Sequence, residues 1–310
     1  VTLQFFDARQ VAEALPFSRL IRHMGAALAR SSNSPLRLRL QGEGRREFLV
    51  MPALSERFSG VKILAIAPEN ADRCMPTMGG LFALLDAATG EPLAIMDAGE
   101  LTARRTAALS ALAARKLSRV NAASLLVLGT GHLAPYLAEA YCAVRPIRNI
   151  TIWGRHAQSA ESCCALVRQR TTEIDVSYVG DLETAVRNCD IMSAATRAQH
   201  PLIMGKWIAP GQHIDLVGGY RPDMREIDDE GIARASIFVD SLDGALAEAG
   251  DLRSPIERGV ITTASIKGDI SILLDGPGRV SDEEVTLFKS VGSASSDLAA
   301  AELVWDSRCG

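Results

Sequence analysis

The stretch Ser124-Leu125-Leu126-Val127-Leu128-Gly129-Thr130-Gly131-His132-Leu133-Ala134 constrains the fold more than any other part of the chain. An apolar run stops at two glycines spaced by one residue, and a helix-compatible run from Leu133 to Val144 follows. A parallel strand, a tight turn and a helix in that order form the dinucleotide-binding arrangement, with Ala134 where a third glycine often sits. Glycines let backbone approach a pyrophosphate, and a helix N-terminus adds unpaired N–H groups and partial positive charge. A lone G-x-G also marks ordinary turns before α/β helices, so on these residues alone both readings stand.

Strand–helix alternation continues beyond the turn. Ile150 to Trp153 reads as the second strand and ends at Gly154-Arg155-His156. NAD-preferring folds usually place an acid there to accept from the ribose 2′-OH. Here Arg155 stands instead, and a guanidinium can pair bidentately with a 2′-phosphate. The expected cofactor is therefore NADP(H) by preference, with NAD(H) possible. A helix over 159–170 leads to strands at 176–179, 189–194, 212–217, 237–240 and 285–289. Thr196 follows the fourth strand at its C-terminal end, where ligands lie in doubly wound sheets. The fifth strand runs into Gly218-Gly219-Tyr220. Asp215 and Asp240, in or ending buried strands, read as structural hydrogen-bonding groups rather than catalytic ones. Residues 242–252 read as one helix, and 296–305 as a final amphipathic helix that could return to the first domain.

The first third has a different grammar. Pro16 opens an amphipathic helix to about Arg30, broken by Ser31-Ser32-Asn33-Ser34-Pro35. Alternating strands follow at 36–40, 48–51, 60–66, 82–86 and 92–96, joined by hairpin-like loops. The predicted fold class is α/β: a Rossmann-type doubly wound NAD(P) domain over 118–292, plus an α+β substrate-binding and dimerisation domain formed by 1–117 with 293–310. In that first domain Arg37 and Arg39 share a strand face, and Lys62 interrupts an apolar strand. A lysine there either reaches a partner or ligand, or snorkels to solvent. Arg104-Arg105-Thr106 reads as the start of an alanine-rich helix, where arginines oppose the dipole unless an anion is held; solvent capping is the other reading.

Composition excludes more than it selects. A chain of 310 residues suggests about two domains, and 47% hydrophobic with 23% charged residues is ordinary for a soluble protein. A net charge of -4, with scattered basic residues, gives no reason to expect nucleic acid or a membrane surface as a partner. No stretch reads as a signal peptide or a bilayer span, and the six cysteines form no C-x-x-C pair, so a cytoplasmic location with free thiols is expected. The five histidines lack ligand spacing, so no metal is expected.

The ordered set of short motifs resembles the ornithine cyclodeaminase / mu-crystallin family over essentially the whole chain. The pieces are Pro35-Leu36-Arg37, Met51-Pro52-Ala53, Gly60-Val61-Lys62, Asp86-Ala87-Ala88-Thr89-Gly90 and Leu101-Thr102-Ala103-Arg104-Arg105-Thr106-Ala107-Ala108. The G-x-G turn, Ala194-Ala195-Thr196, Pro210-Gly211-Gln212-His213 and Phe288-Lys289-Ser290-Val291-Gly292 complete them. The resemblance implies that Arg37, Lys62 and Arg105 hold a substrate α-carboxylate, with Glu47 and Thr77 lining the pocket. It implies a homodimer formed through the first domain, and Val291 and Gly292 beside the nicotinamide. With the residue reading, the dinucleotide is expected on Gly129, Thr130, Gly131, His132, Leu133, Arg155, Thr106, Thr196, Gly218, Val291 and Gly292.

Members of that family either oxidise and cyclise amino acids such as ornithine with release of ammonia, reduce cyclic ketimines, or interconvert alanine and pyruvate. Cyclodeaminases resemble Gly-Gly-Asp-x-Pro-Gly-Lys, whose aspartate assists amine chemistry; here Tyr220 replaces it in Gly218-Gly219-Tyr220-Arg221-Pro222. Removing hydride from an amino acid needs a neutral amine and hence a base or an orienting carboxylate, whereas reducing a preformed cyclic iminium does not. The expected function is therefore reduction of a cyclic imino acid of the pyrroline-2-carboxylate or piperideine-2-carboxylate type, with an amino or imino acid as the small-molecule substrate. The alternatives are an ornithine or lysine cyclodeaminase, which would need Asp223 or Asp215 to stand in for the missing acid, an alanine or opine-like dehydrogenase, and a non-catalytic NADPH-binding or structural protein like a crystallin.

Overall fold

The computed structural model describes residues 2–30, 34–73 and 75–308. Ser31, Ser32 and Asn33 of the expected helix breaker lie outside the described residues, as do Cys74 and Cys309. The chain groups into two compact units, 1–106 with 293–310, and 107–292. The expected boundary after residue 117 lies at the end of the helix through which this division passes.

In the first unit, strand β1 (Gln4–Phe6) leads into helix α1 (Ala8–Ala14), whose start is fixed by a capping box. The Asp7 carboxylate accepts from Gln10 N–H at 2.8 Å and the Gln10 side chain accepts from Asp7 N–H at 2.9 Å. Helix α2 (Phe17–Leu28) buries Phe17, Leu20, Ile21, Met24 and Leu28, the stripe that a 3.6-residue period creates. Strands β2 (Leu38–Gln41), β3 (Glu47–Leu54), β4 (Phe58–Ile66), β5 (Met78–Asp86) and β6 (Pro92–Asp97) then form a meander. The sheet order is β1-β6-β5-β4-β3-β2, antiparallel except that β1 runs parallel to β6. Helix α3 (Ala98–Leu117) follows β6 directly, and the last helix, α11 (Ala294–Ser307), lies across β3, β4 and β5 with α2 against it. Small buried residues (Ala299, Ala300 and Ala301) let α11 sit close to the sheet. The opposite sheet face is apolar and open: Phe5, Leu38, Leu40, Phe48 and Leu54 are all at least 40% exposed.

The second unit alternates strand and helix: β7 (Ser124–Leu128), α4 (Ala134–Cys142), β8 (Asn149–Trp153), α5 (Ala157–Arg170), β9 (Asp175–Tyr178), α6 (Leu182–Asn188), β10 (Ile191–Ala194) and β11 (His213–Leu216). It continues with α7 (Asp229–Arg234), β12 (Ser236–Val239), α8 (Leu242–Glu248), α9 (Gly250–Glu257), β13 (Ile266–Gly268), α10 (Ile270–Asp275) and β14 (Thr286–Lys289). All eight strands are parallel, in the order β13-β12-β14-β11-β10-β7-β8-β9. The central strands are buried on both faces, as the uninterrupted apolar runs require. The sheet reverses its winding between β7 and β10, the switch point at which such folds take ligands.

Two local expectations are corrected. Helix α3 starts at Ala98, not near residue 104: Asp97 accepts from Glu100 N–H at 2.7 Å and begins it a turn and a half earlier. The single helix expected over 242–252 is two, α8 and α9, parted at Ala249. Gly250 there lies so close to the preceding loop that an added Cβ would come within 2.2 Å of the Met224 carbonyl, and the break buries Asp251 completely.

Candidate active site

The first unit assembles a cluster of cations on one buried carboxylate. In β4 alternate residues face the covered side of the sheet, and Lys62 takes one of those positions, between Met51 of β3 and Phe82 of β5. It is 1% exposed, and its Nζ stands 2.7 Å from Asp297 Oδ2, in the first turn of α11. Arg105 Nε donates to the other oxygen, Oδ1, at 2.6 Å. Lys62 therefore does not snorkel: a buried cation needs a partner, and α11 delivers it. Burial, with the guanidinium groups of Arg105 and Arg37 close by, draws the Lys62 ammonium from its ordinary 10.5 down to about 7, against the attraction of Asp297.

Arg37, just ahead of β2, is half-buried and contributes to the field at Lys62, so three of the expected clamp residues come together. The other candidates behave differently. Glu47 lies on the same sheet face but pairs with Arg39 at 3.7 Å. Thr77 precedes β5, and its carbonyl accepts from Ala67 N–H. Arg104 is not at a helix start and does not point at the cluster's carboxylate. Its Nε meets Glu100 at 2.7 Å, its Nη1 donates to the Leu15 carbonyl at 3.1 Å, and its guanidinium packs over the Phe17 ring. Thr106 is buried within α3.

In the second unit the turn after β7 closes tightly against the chain end after β10. Gly129 has φ +112, and a Cβ would approach the Ala195 carbonyl within 2.7 Å, so only glycine fits. Gly131, by contrast, faces open space on the side where a Cβ would project. Leu133 precedes α4 without any side-chain cap, and Thr130, His132 and Leu133 complete the loop. Ala134 N–H already donates to the Gly131 carbonyl at 3.1 Å and Pro135 has no N–H, so an anion at this end would meet the helix dipole and the N–H groups of the turn itself. At the end of β8 Arg155 is exposed, and Gly154 lies so close to Thr130 that a Cβ would sit 2.5 Å from its methyl.

Acids cluster near the C-terminal ends of the other strands, Asp215, Asp240 and Glu226 buried and Asp223 exposed. Asp240, after β12, accepts from the N–H groups of Val291 and Gly292, the latter at 2.7 Å, and fixes the turn after β14 in which Gly292 has φ +88. Asp215 accepts from Ser110, Tyr141 and Ser193 at 3.1, 2.9 and 2.6 Å; burial pushes its carboxyl up to about 6. Asp223 is bound by Arg221 at 2.6 and 2.9 Å and by Gln199, and the Arg221 hydrogen bonds hold it down at about 2. Thr196 and Gly218 both turn their N–H groups to Glu226. Tyr220, half-buried, packs against the apolar core of this unit. A cavity of about 490 Å³ opens at the other, N-terminal ends of β12 and β14, bordered by Arg234 and Lys267, where doubly wound sheets do not place their ligands.

The sequence model described as the ornithine cyclodeaminase/mu-crystallin family matches residues 3–310. The chain belongs to this family. A Delta(1)-pyrroline-2-carboxylate reductase of Colwellia psychrerythraea is 36% identical over 310 residues, covering 97% of this chain and 98% of that protein. One from Paracoccus denitrificans is 40% identical over 249 residues, covering 79% and 78%. Among solved structures, the Thermococcus litoralis Delta(1)-pyrroline-2-carboxylate reductase in complex with NADH and L-proline is 29% identical, covers 99% of this chain and 98% of that chain, and has a TM-score of 0.94. An archaeal alanine dehydrogenase dimer with bound NAD is 28% identical over 99% of this chain and 96% of that chain, with a TM-score of 0.92. The fold of this ornithine cyclodeaminase/mu-crystallin family member is thus that of the family, α/β with a Rossmann-like parallel sheet.

Sequence reasoning missed Asp297, and it missed the group formed by Glu226, Asp251 and Lys289. Two buried cations in one sheet-and-helix core demanded a counter-ion, which was a usable signal for Asp297. Among the described residues no group of three or more His, Cys, Asp or Glu side chains could hold a metal ion, and no helix is long and apolar enough to cross a membrane. Cys142, Cys163, Cys164 and Cys189 are free thiols.

Proposed function

We propose that this chain, an NAD(P)-dependent oxidoreductase of the ornithine cyclodeaminase/mu-crystallin family, reduces a cyclic imino acid of the pyrroline-2-carboxylate or piperideine-2-carboxylate type by hydride transfer to its C=N bond. The observation that carries the direction of the reaction is the absence of an aspartate at Tyr220 together with the commitment of both candidate replacements. Asp223 is locked by Arg221, and Asp215 already accepts three hydrogen bonds. Neither carboxylate is placed to take a proton from a substrate amine.

Arg37, Lys62 and Arg105 hold the substrate carboxylate, with Glu47 and Thr77 as further pocket residues. A guanidinium fork and an ammonium are the natural receptors for that anion. The Gly129–Leu133 turn, Thr106, Thr196, Gly218, Val291 and Gly292 hold the dinucleotide, which when bound supplies the hydride. Lys62, drawn down to about 7, is the group in this cluster that can pass a proton near neutrality. Arg155 favours a cofactor bearing a 2′-phosphate, so NADPH is the preferred reductant and NADH the second. The open apolar face of the first sheet is where a second copy of the chain docks.

The test is direct: incubate the protein with either cyclic imino acid and NADPH or NADH, and follow loss of the reduced-nicotinamide absorbance. Oxidation of the cofactor with formation of proline or pipecolate is expected. Ammonia release from ornithine or lysine with no turnover of either imino acid would replace this reading with cyclodeamination, and oxidation of alanine alone with an amino-acid dehydrogenase.

A further inference from the structure

Beyond the reading above, and resting on it, we infer that Glu226 is a positioning residue: its carboxylate ties the chain ends after β10 and β11 to each other and so sets where Thr196 and Tyr220 stand at the nicotinamide end of the dinucleotide site. Glu226 is fully buried. One oxygen accepts from Thr196 N–H at 2.7 Å and from Thr196 Oγ1 at 2.8 Å; the other accepts from Gly218 N–H at 2.8 Å and Gly219 N–H at 3.2 Å. Four donors converge on two oxygens, an arrangement that only an acceptor-only group satisfies. An amide of the same shape would turn its NH₂ against at least one backbone N–H, that of Thr196 on one side or those of Gly218 and Gly219 on the other.

The residue is itself held. Its backbone N–H donates to Asp251 Oδ1 at 2.7 Å, and its carbonyl accepts from Leu202 and Ile203 at 3.0 and 2.9 Å. Asp251, on α9, faces Lys289 at the end of β14, Oδ2 to Nζ 3.2 Å, with both side chains fully buried. The charged groups around Glu226 are therefore Asp251 and Lys289, and the neutral donors come from the ends of β10 and β11.

This arrangement gives the paired glycines a reason. A Cβ on Gly218 would come within 2.0 Å of the Thr196 carbonyl and 2.5 Å of Glu226 Oε1, and one on Gly219 within 2.4 Å of Asp251 Oδ2. Gly218 lets the backbone close on Thr196 and on the Glu226 carboxylate, and Gly219 on that of Asp251. Thr196 and Gly218 consequently have no N–H to spare for the cofactor; what they contribute is surface, at a position dictated by Glu226. The turn after β7, which takes the pyrophosphate, packs through Gly129 on Ala195 and Thr196 but donates no hydrogen bond to Glu226, whose donors among the described residues are Thr196, Gly218 and Gly219.

The experiment compares two ligands on the full chain: NADH, and ADP-ribose, which lacks the nicotinamide. In Glu226→Gln, affinity for NADH should fall roughly tenfold while that for ADP-ribose changes by less than about twofold, because one buried acceptor is lost among four donors. Catalytic turnover should fall with it and the KM for imino acid should not. Equal weakening of both ligands, or no weakening of either, would overturn the proposal. A second measurement on the unaltered protein guards against a variant that fails to fold. Burial pushes Glu226 up to about 7, with Lys289 opposing and Asp251 assisting, so the NADH-to-ADP-ribose affinity ratio should drop roughly tenfold between about pH 8 and pH 6. A flat ratio would overturn it. Failure of the unaltered protein to bind either ligand would instead refute the dinucleotide reading on which this rests, which separates the two failures.

Discussion

Asp297→Asn is the most informative single change in the first unit. The carboxylate lies 2.7 Å from Lys62 Nζ and 2.6 Å from Arg105 Nε, with all three side chains almost fully buried. At an effective dielectric of about 20, each contact at that spacing carries about 6 kcal/mol of attraction. Desolvation of three buried ions offsets most of that sum, and removing one partner from a buried ion pair costs about 3–5 kcal/mol. At roughly 2–4 °C per kcal/mol, the melting temperature should fall by roughly 6–20 °C. Asparagine keeps the shape and one acceptor, so the loss reports charge rather than volume. It should also move chemistry: without Asp297, Lys62 releases its proton well below neutrality, and the substrate carboxylate meets a neutral amine. Thermal denaturation gives the first number, and the KM for the imino acid as a function of pH gives the second. A melting temperature within about 1 °C of the parent, or a KM profile that does not shift to lower pH, would refute the assignment of Asp297 as the counter-ion of the clamp.

The other predictions can be checked with the same preparations. In the parent protein Lys62 is charged below about 7 and neutral above it, so kcat/KM for a carboxylate substrate should decline as pH rises through that value; Lys62→Met should remove the inflection and most of the turnover. The same shift has a stability sign: the unfolded lysine keeps its proton up to about 10.5 and the folded one does not, so this group makes the fold more stable as pH rises between those values, measurable as a rising melting temperature. Arg155→Ala should weaken NADPH far more than NADH in fluorescence titrations; equal losses would end the case for a 2′-phosphate contact. Leu38→Glu on the open sheet face should leave the melting behaviour of a dilute sample nearly unchanged yet halve the mass seen by sedimentation; an unaltered mass would place the interface elsewhere.

The strand–glycine–helix turn and the parallel alternation after it were legible because each is a local pattern: a run ends, a glycine must adopt φ +112, a helix begins. Lys62 was legible as an anomaly for the same reason, one charge in an apolar strand. Its partner was not, because Asp297 lies on a helix 192 positions from Arg105 along the chain, and nothing near it in sequence marks it as buried. The start of α3 was misplaced although Asp97-Ala98-Gly99-Glu100 has the spacing of a helix cap, because Gly99 disfavours a helix and Asp97 reads equally well as a strand end. Arg104 and Arg105 looked equivalent in the sequence, and a rotation of 100° along one helix sends the first to Glu100 and the second to Asp297. Gly218 carried a glycine signal whose packing partners were not legible: its backbone lies against that of Thr196 and against the Glu226 carboxylate, neither of them adjacent in sequence.

The packing of α11 on the sheet ties the first unit together through contacts that are distant in sequence. The meander β2 to β6 has its pairings between neighbours and can begin to form early, but its covered face holds Lys62, whose counter-ion comes with the final helix. Until α11 packs against it, the sheet has an uncovered face and Lys62 lacks its counter-ion, and β14, which sits between β11 and β12, likewise pairs with strands distant from it in sequence. Long-range closures of this kind are slow. The cluster proposed to recognise a carboxylate is thus complete only once that long-range contact has formed.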